Sequence, residues 1–238
     1  EERQNKLLEA LGKMLGLEQA PRRTESYDIS NTGADDMVAS MVVFESGRPL
    51  KRDYRRFKIK DLTGPDDYAS MEQVLTRRFQ RYLDGDEKFG TLPDLMLIDG
   101  GENHVKIARR VLDDFGLDIP AFGMVKDDRH RTRALVAPDG REIGIQAIPA
   151  VFALIGQIQE ETHRFAIEFN RQQRKGRVQG SVLDKIPGVG EKRRAQLLKA
   201  FKSVKAIRQA PLEELEKVVP KNTAQAVYQF FRREETKD

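Results

Sequence analysis

The stretch Leu95-Met-Leu-Ile-Asp99-Gly100-Gly101 constrains this chain more than any other. Four apolar residues between Pro93 and a glycine pair read as a short strand buried on both faces. The acid that ends it is costly to bury without a partner. Such an acid is expected where a strand runs out into a cleft at a sheet edge, where a carboxylate meets a ligand or a metal. Asp99 has a plainer alternative as the N-cap of the helix that follows.

The surroundings of that strand alternate in kind. Residues 1–17 carry Leu7, Leu8, Leu11, Met14 and Leu15 at helical spacing up to Gly16, which predicts an amphipathic helix followed by a linker to Arg23. Strand patterns follow at Ser26–Ile29, Met37–Phe44 and Tyr54–Ile59, separated by the polar loop Ser30-Asn31-Thr32-Gly33 and the turn 45–49, as in an antiparallel meander. Asp28 lies inside the first of these with Tyr27 and Ile29 on the opposite face. It is either an edge-strand charge that discourages aggregation or part of a site. Thr63-Gly64-Pro65-Asp66-Asp67-Tyr68 opens a helix with Met71, Val74, Leu75 and Phe79 on its apolar face, and acids there serve as cap and dipole partners.

Beyond Gly101 come a helix to Phe115, a buried strand at Ala121–Val125 and the polar loop 126–133. Its cations, among them Lys126 and Arg131, suit phosphate contact as well as plain solvation. A hairpin then pairs 134–137 with 142–145, and Pro149 opens a long helix to about Gln173. His163 sits at the border of its apolar stripe, where an imidazole either packs or reaches a cleft. A meander followed by helix–strand–helix–strand gives an α/β class, a mixed sheet flanked by helices. If Asp28, Asp99 and His163 converge, two carboxylates and an imidazole without thiolates make a site suited to Mg²⁺ or Mn²⁺.

Charge separates the rest of the chain from its body. Of a net +4, the segment Arg171–Arg208 carries twelve Lys and Arg against two acids, a footprint for polyanion binding. Within it, Ser181–Arg194 reads as helix, tight glycine hairpin and helix. The hairpin Pro187-Gly188-Val189-Gly190 lets backbone amides approach a DNA phosphate, with Lys192, Arg193 and Arg194 beside it. A second unit from Ala210 lacks the Gly-x-Gly signature and reads Val218-Val219-Pro220-Lys221-Asn222-Thr223. It is expected to pack through Leu215, Val218, Val227, Tyr228 and Phe231, with Lys221 and Asn222 as weaker DNA contacts. The chain has no cysteine, no signal peptide and no apolar run of membrane-spanning length, so a cytoplasmic protein without membrane contact is the simple expectation. It begins at Glu1 rather than methionine, as expected of a piece of a longer protein.

Several motifs occur in an order that resembles the C-terminal half of the UvrC family, the incision subunit of bacterial nucleotide excision repair. They are Tyr27-Asp28-Ile29-Ser30-Asn31-Thr32, Ser40–Phe44, Tyr54-Arg55-Arg56-Phe57, Gly64–Met71, Leu97–Gly101 and His163-Arg164-Phe165-Ala166. The resemblance implies an RNase H-like endonuclease domain over 24–173, after a helical arm and linker at 1–23. It further implies a basic linker at 174–180 and a small all-α tandem helix-hairpin-helix domain at 181–238. It implies that Asp28, Asp99 and His163 form a metal-dependent nuclease site, that Asp67 takes part in the 5′ incision, and that the product ends in a 3′-hydroxyl. Damaged double-stranded DNA near a duplex–single-strand junction is the implied substrate. The UvrB partner is implied to bind upstream of this segment. One departure stands out: the family usually has Lys-Gly-Gln where this chain has Glu102-Asn103-His104, which puts DNA contact from that loop in doubt and leaves His104 as a surface residue. A DNA-binding scaffold without catalysis and a junction resolvase are the rival readings.

Overall fold

Helix α1 (Glu2–Leu15) closes on Gly16, whose φ of 70° is the left-handed cap that only glycine adopts cheaply. The computed structural model describes residues 1–31, 37–59 and 66–235 and divides into two compact units, Glu1–Glu168 and Phe169–Asp238. Leu8, Leu11 and Leu15 of α1 are buried in the same core as the sheet of the first unit. The segment expected as a separate arm is therefore part of the body. Leaving each leucine in water would forgo about 1.5–3 kcal/mol.

The expected meander forms from β1 (Arg23–Asn31), β2 (Met37–Glu45) and β4 (Arg55–Lys58), with the two-residue β3 (Arg48–Pro49) between them. β1 pairs antiparallel with β2 as far as Asn31↔Met37, so Ser30 and Asn31 are still strand where a loop was expected. Thr32 and Gly33, and Thr63-Gly64-Pro65 further on, lie outside the described residues. β5 (Leu95–Ile98) is buried throughout, and runs parallel to β1 on one side and to β6 (Ala121–Lys126) on the other. The hairpin partners β7 (Thr132–Val136) and β8 (Glu142–Gly144) complete an order β3-β2-β1-β5-β6-β7-β8, with β4 also on β2.

Helices cover both faces. α2 (Asp67–Leu83) begins at Asp66, whose carboxylate accepts from the Ala69 amide at 3.0 Å, and α3 (Glu102–Asp114) follows β5. Side chains alternate along β1, so Glu25 and Tyr27 share one face while Ser26 and Asp28 share the other. On the first face Arg78 of α2, fully buried, bonds both carboxylate oxygens of Glu25 at 3.0 Å, and the Tyr27 hydroxyl donates to Glu25 at 2.6 Å. On the second face lies α4 (Pro149–Leu183), with the hydroxyls of Thr162 and Ser26 hydrogen-bonded at 2.9 Å. α4 runs on to Leu183, so residues 174–180 are helical rather than the irregular linker expected from their Gln and Gly content.

In the second unit the end of α4 is followed by α5 (Glu191–Phe201), α6 (Val204–Gln209), α7 (Leu212–Glu216) and α8 (Lys221–Glu235). Their core contains Leu183, Leu197, Ile207, Leu215, Val227 and Phe231, with Val218 and Tyr228 packed against it, as the apolar pattern predicts.

Candidate functional site

Parallel register alone brings two acids together. Tyr27 of β1 stands beside Ile98 of β5, and the Asp99 amide donates to the Tyr27 carbonyl at 2.9 Å. Asp28 and Asp99 are the next residues on both strands, so their carboxylates meet at the carboxyl end of the sheet. Asp99 caps nothing: the N-cap of α3 is Gly101. The Asp28 carboxyl is raised to about 7, first by desolvation and then by the charge of Asp99 beside it, while Lys126 pulls it down. Lys126 ends β6 and sets its Nζ 2.7 Å from Asp99 Oδ1. Three adjacent strands thus deliver two carboxylates and one ammonium to a single spot.

His163 is exposed on α4. Among the described residues no three His, Asp or Glu side chains stand close enough to hold a metal ion. The structure therefore brings Asp28 and Asp99 together and leaves the imidazole outside that cluster. Its position on the helix is nonetheless informative. Gln159, one turn earlier on the same ridge, accepts from the Thr132 amide at 2.7 Å and donates to the His130 carbonyl at 2.5 Å. Thr132 is the strand partner of Lys126, so this ridge of α4 faces the end of the sheet where the carboxylates lie.

The loop between β6 and β7 is built rather than loose. Asp127 Oδ1 accepts from the Arg129 and Arg131 amides, both at 2.9 Å, and these bonds, the one from Arg131 foremost, hold its carboxylate below the usual range. Arg131 returns an ion pair to Asp127 at 3.5 Å. Asp67 is the first residue of α2 and exposed; the capping bond belongs to Asp66, so Asp67 is spared that task. In the departing Glu102-Asn103-His104 turn, the His104 ring packs tilted against Tyr68 with centroids 4.6 Å apart and lies against Gly100. Glu102 pairs with Lys106 at 2.9 Å.

In the second unit Gly188 takes φ 86°, the turn that a side chain resists. Val189 points into the core and its amide donates to the Ile186 carbonyl, so amides for an anion come from Gly190 and the first turn of α5. Arg193 is half-buried and bonds the Gly188 carbonyl at 3.0 Å and the Thr223 hydroxyl at 2.6 Å, tying the first hairpin to α8. Arg194 pairs with Asp184 at 2.8 Å. Lys192 and Lys221 are exposed, and Asn222 Oδ1 accepts the Thr223 amide. A cleft of about 430 Å³ lies between α5 and the α7–α8 turn, edged by Lys192, Arg193, Gln196 and Lys217. Sequence reasoning missed the Lys126–Asp99 pair and the Gln159 anchor. No local pattern announces either one, because the first depends on strand order and the second on how α4 packs against the β6–β7 loop.

Residues 12–167 match the UvrC RNase H endonuclease domain, and residues 185–238 match the helix-hairpin-helix motif. The sheet, its carboxylate pair and the hairpin module define an RNase H-like nuclease domain followed by a DNA-binding helical domain. More particularly, this chain belongs to the UvrC family. It is 47% identical over 245 residues to the UvrABC system protein C of Acetivibrio thermocellus, covering 96% of this chain and 39% of that protein. To that of Ruminiclostridium cellulolyticum it is 48% identical, covering 93% and 37%. The chain thus spans about two fifths of the length of these relatives. Human ENDOV is a structural neighbour with a TM-score of 0.41 and 12% identity, over 72% of this chain and 98% of that one.

Proposed function

We propose that the chain is the nuclease segment of a nucleotide excision repair enzyme, which hydrolyses a phosphodiester on the 5′ side of a lesion and leaves a 3′-hydroxyl. One observation carries this reading: Asp28 and Asp99 share the carboxyl end of neighbouring parallel strands, in a chain that belongs to an endonuclease family.

The donor set fits a hard divalent cation. Two carboxylates crowd a desolvated spot with one ammonium on the far side of Asp99, and burial first, then the Asp99 charge, raise the proton affinity of Asp28. Asp28 and Asp99 would hold Mg²⁺ or Mn²⁺, with His163 as a third ligand or as general acid or base. What supports His163 is its place one turn beyond Gln159, toward the same sheet edge. Bound there, the ion supplies Lewis acidity toward the phosphodiester and a more acidic water. The residues of the chain do the rest: Asp28 and Asp99 fix the donor geometry, and Lys126 neutralises Asp99 and offers an ammonium to a phosphate oxygen. Asp67, free of capping, stands ready at the start of α2. Gly190, Lys192, Arg131, Lys221 and Asn222 grip the backbone near a duplex–single-strand junction, with Arg193 holding the hairpins in register and Arg194 held by Asp184. UvrB is the partner the family implies, and the cytoplasm the compartment. Among the described residues no helix is long and apolar enough to cross a membrane.

The test is nicking of a duplex with a central bubble, in Mg²⁺ or Mn²⁺. Asp99→Asn should lose at least about a hundredfold in rate, as expected when a metal-borne charge-stabilising step is removed. Undiminished nicking by that variant removes Asp99 from the chemistry. A wild-type chain that binds the bubble yet never nicks it is a scaffold.

A further inference from the structure

A second cleft opens at the β6–β7 loop. It has a volume of about 410 Å³ and lies between the β6–β7 loop and the first turns of α4, within the first unit. Arg129, His130 and Arg131 form one wall. The other wall is α4, with Phe152, Gly156 and Gln157 along it and the carboxylate of Glu160 at one side. The loop wall is fixed in place by Asp127 from within and by Gln159 from α4. Thr132, which also lines the cleft, is the strand partner of Lys126, the ammonium on Asp99, so the cleft lies one strand pairing from the proposed site of cutting.

We propose that this cleft is a subsite for one unstacked nucleotide of a single DNA strand. The inference rests on the nuclease reading above and gives that site a neighbouring pocket for its substrate. The chemistry of the walls matches the parts of a nucleotide. An apolar floor of Phe152 and the bare helix at Gly156 accepts the face of a base, and base–aromatic contact tolerates any base. Gln157 and Glu160 offer an amide and a carboxylate to the base edge, which carries N–H donors. Arg129 and Arg131 lie on the opposite wall, where the phosphate would run, and Glu160 on the α4 wall keeps the anion off that side. The volume lies within the range of ordinary small-molecule pockets. A base paired in a duplex cannot enter, so the cleft favours the open strand of a bubble over the closed duplex.

Gly156 supplies the test, because it lines the cleft and a Cβ added there meets no heavy atom within 4 Å. The whole 238-residue chain is titrated in EDTA, by fluorescence anisotropy, with a labelled single-stranded oligonucleotide, the matched duplex and an abasic strand of equal length. Gly156→Phe should weaken single-strand binding about tenfold and duplex binding by less than about twofold. Its thermal midpoint should not fall, since glycine within a helix is the costlier residue. The abasic strand should bind the wild-type chain about tenfold more weakly than the ordinary strand and be indifferent to the substitution. Equal single-strand affinity of variant and wild type, or equal affinity for abasic and ordinary strands, overturns the proposal. Should Gly156→Phe destabilise the fold, Arg129→Ala carries the test: its log–log salt slope for single strands should drop by about 0.7, and an unchanged slope counts against the subsite. The assay contains no metal and reads no cutting. A failed cleft therefore leaves the nuclease reading intact, and a chain that never nicks can still show the cleft.

Discussion

Two carboxylates at one register position repel, and Asp28 records the cost. Burial first and the Asp99 charge second raise it from 3.8 to about 7. The folded chain thus holds a proton there more tightly than the unfolded chain does. Its stability penalty is absent below about pH 4, grows between pH 4 and 7, and is complete above pH 7. Asp28→Asn removes that penalty. In EDTA at pH 8 it should raise the melting midpoint of the unit carrying it by roughly 3–6 °C, with the gain vanishing toward pH 4, whereas in Mg²⁺ or Mn²⁺ the same variant should lose nicking. In the wild-type chain, protons compete with the cation for Asp28, so nicking should decline as pH falls below about 7. Equal midpoints of wild type and variant at pH 8, or a rate flat from pH 8 to 5.5, would contradict this account of the pair. Asp28 and Asp99 were legible as candidates in the sequence, since each is an acid placed where a strand has little use for one. Glu25 was not. Its partners Arg78 and Tyr27 lie on a second element and two residues along the same strand, and nothing local to Glu25 marks it as a buried anion. Asp66 and Asp67 share one acidic helix start; the resemblance already singled out Asp67, and the cap geometry assigns the capping bond to Asp66.

At the scale of elements, the site depends on which strands are neighbours. Pattern reading found β5 and β6 from their apolar runs and β1 as a short strand of mixed polarity, but the order that places β5 between β1 and β6 follows from the parallel pairing. α4 was legible over its first half, where Ile155, Ile158, Thr162 and Ala166 are buried as their spacing predicts. Its continuation through 174–180 was hidden by glycines and glutamines that look like linker. The role of Gln159 depends on tertiary contact alone. It accepts from both the amide and the hydroxyl of Thr132 and donates to the His130 carbonyl, so one side chain holds a whole loop. Gln159→Leu should speed hydrogen exchange of the Thr132 amide about tenfold, the value of one net hydrogen bond of about 1–1.5 kcal/mol. Amides in β5 should exchange as before. No change at Thr132 would mean that the loop holds itself.

For the molecule as a whole, charge divides along the same line as structure. Residues 169–238 hold seventeen Lys and Arg against eight acids, which leaves −5 for residues 1–168 out of the net +4. A cutting unit that carries net negative charge gains little attraction to a polyanion from its own field, whereas the helical unit is suited to supply it. The sequence showed that division as a basic block, and also showed the degenerate second hairpin. What it did not show is that Arg193 and Arg194 are already engaged within the protein, leaving Lys192 as the exposed cation of the three. The central claim is that β1 and β5 meet in order to place a divalent ion between two aspartates. Crystals of the chain soaked in Mn²⁺ and measured for anomalous scattering test it directly. The account predicts a peak bridging Asp28 and Asp99, roughly 2.0–2.3 Å from an oxygen of each, with His163 or water completing the shell. A Mn²⁺ peak elsewhere, with Lys126 still on Asp99 and no density between the carboxylates, would contradict it.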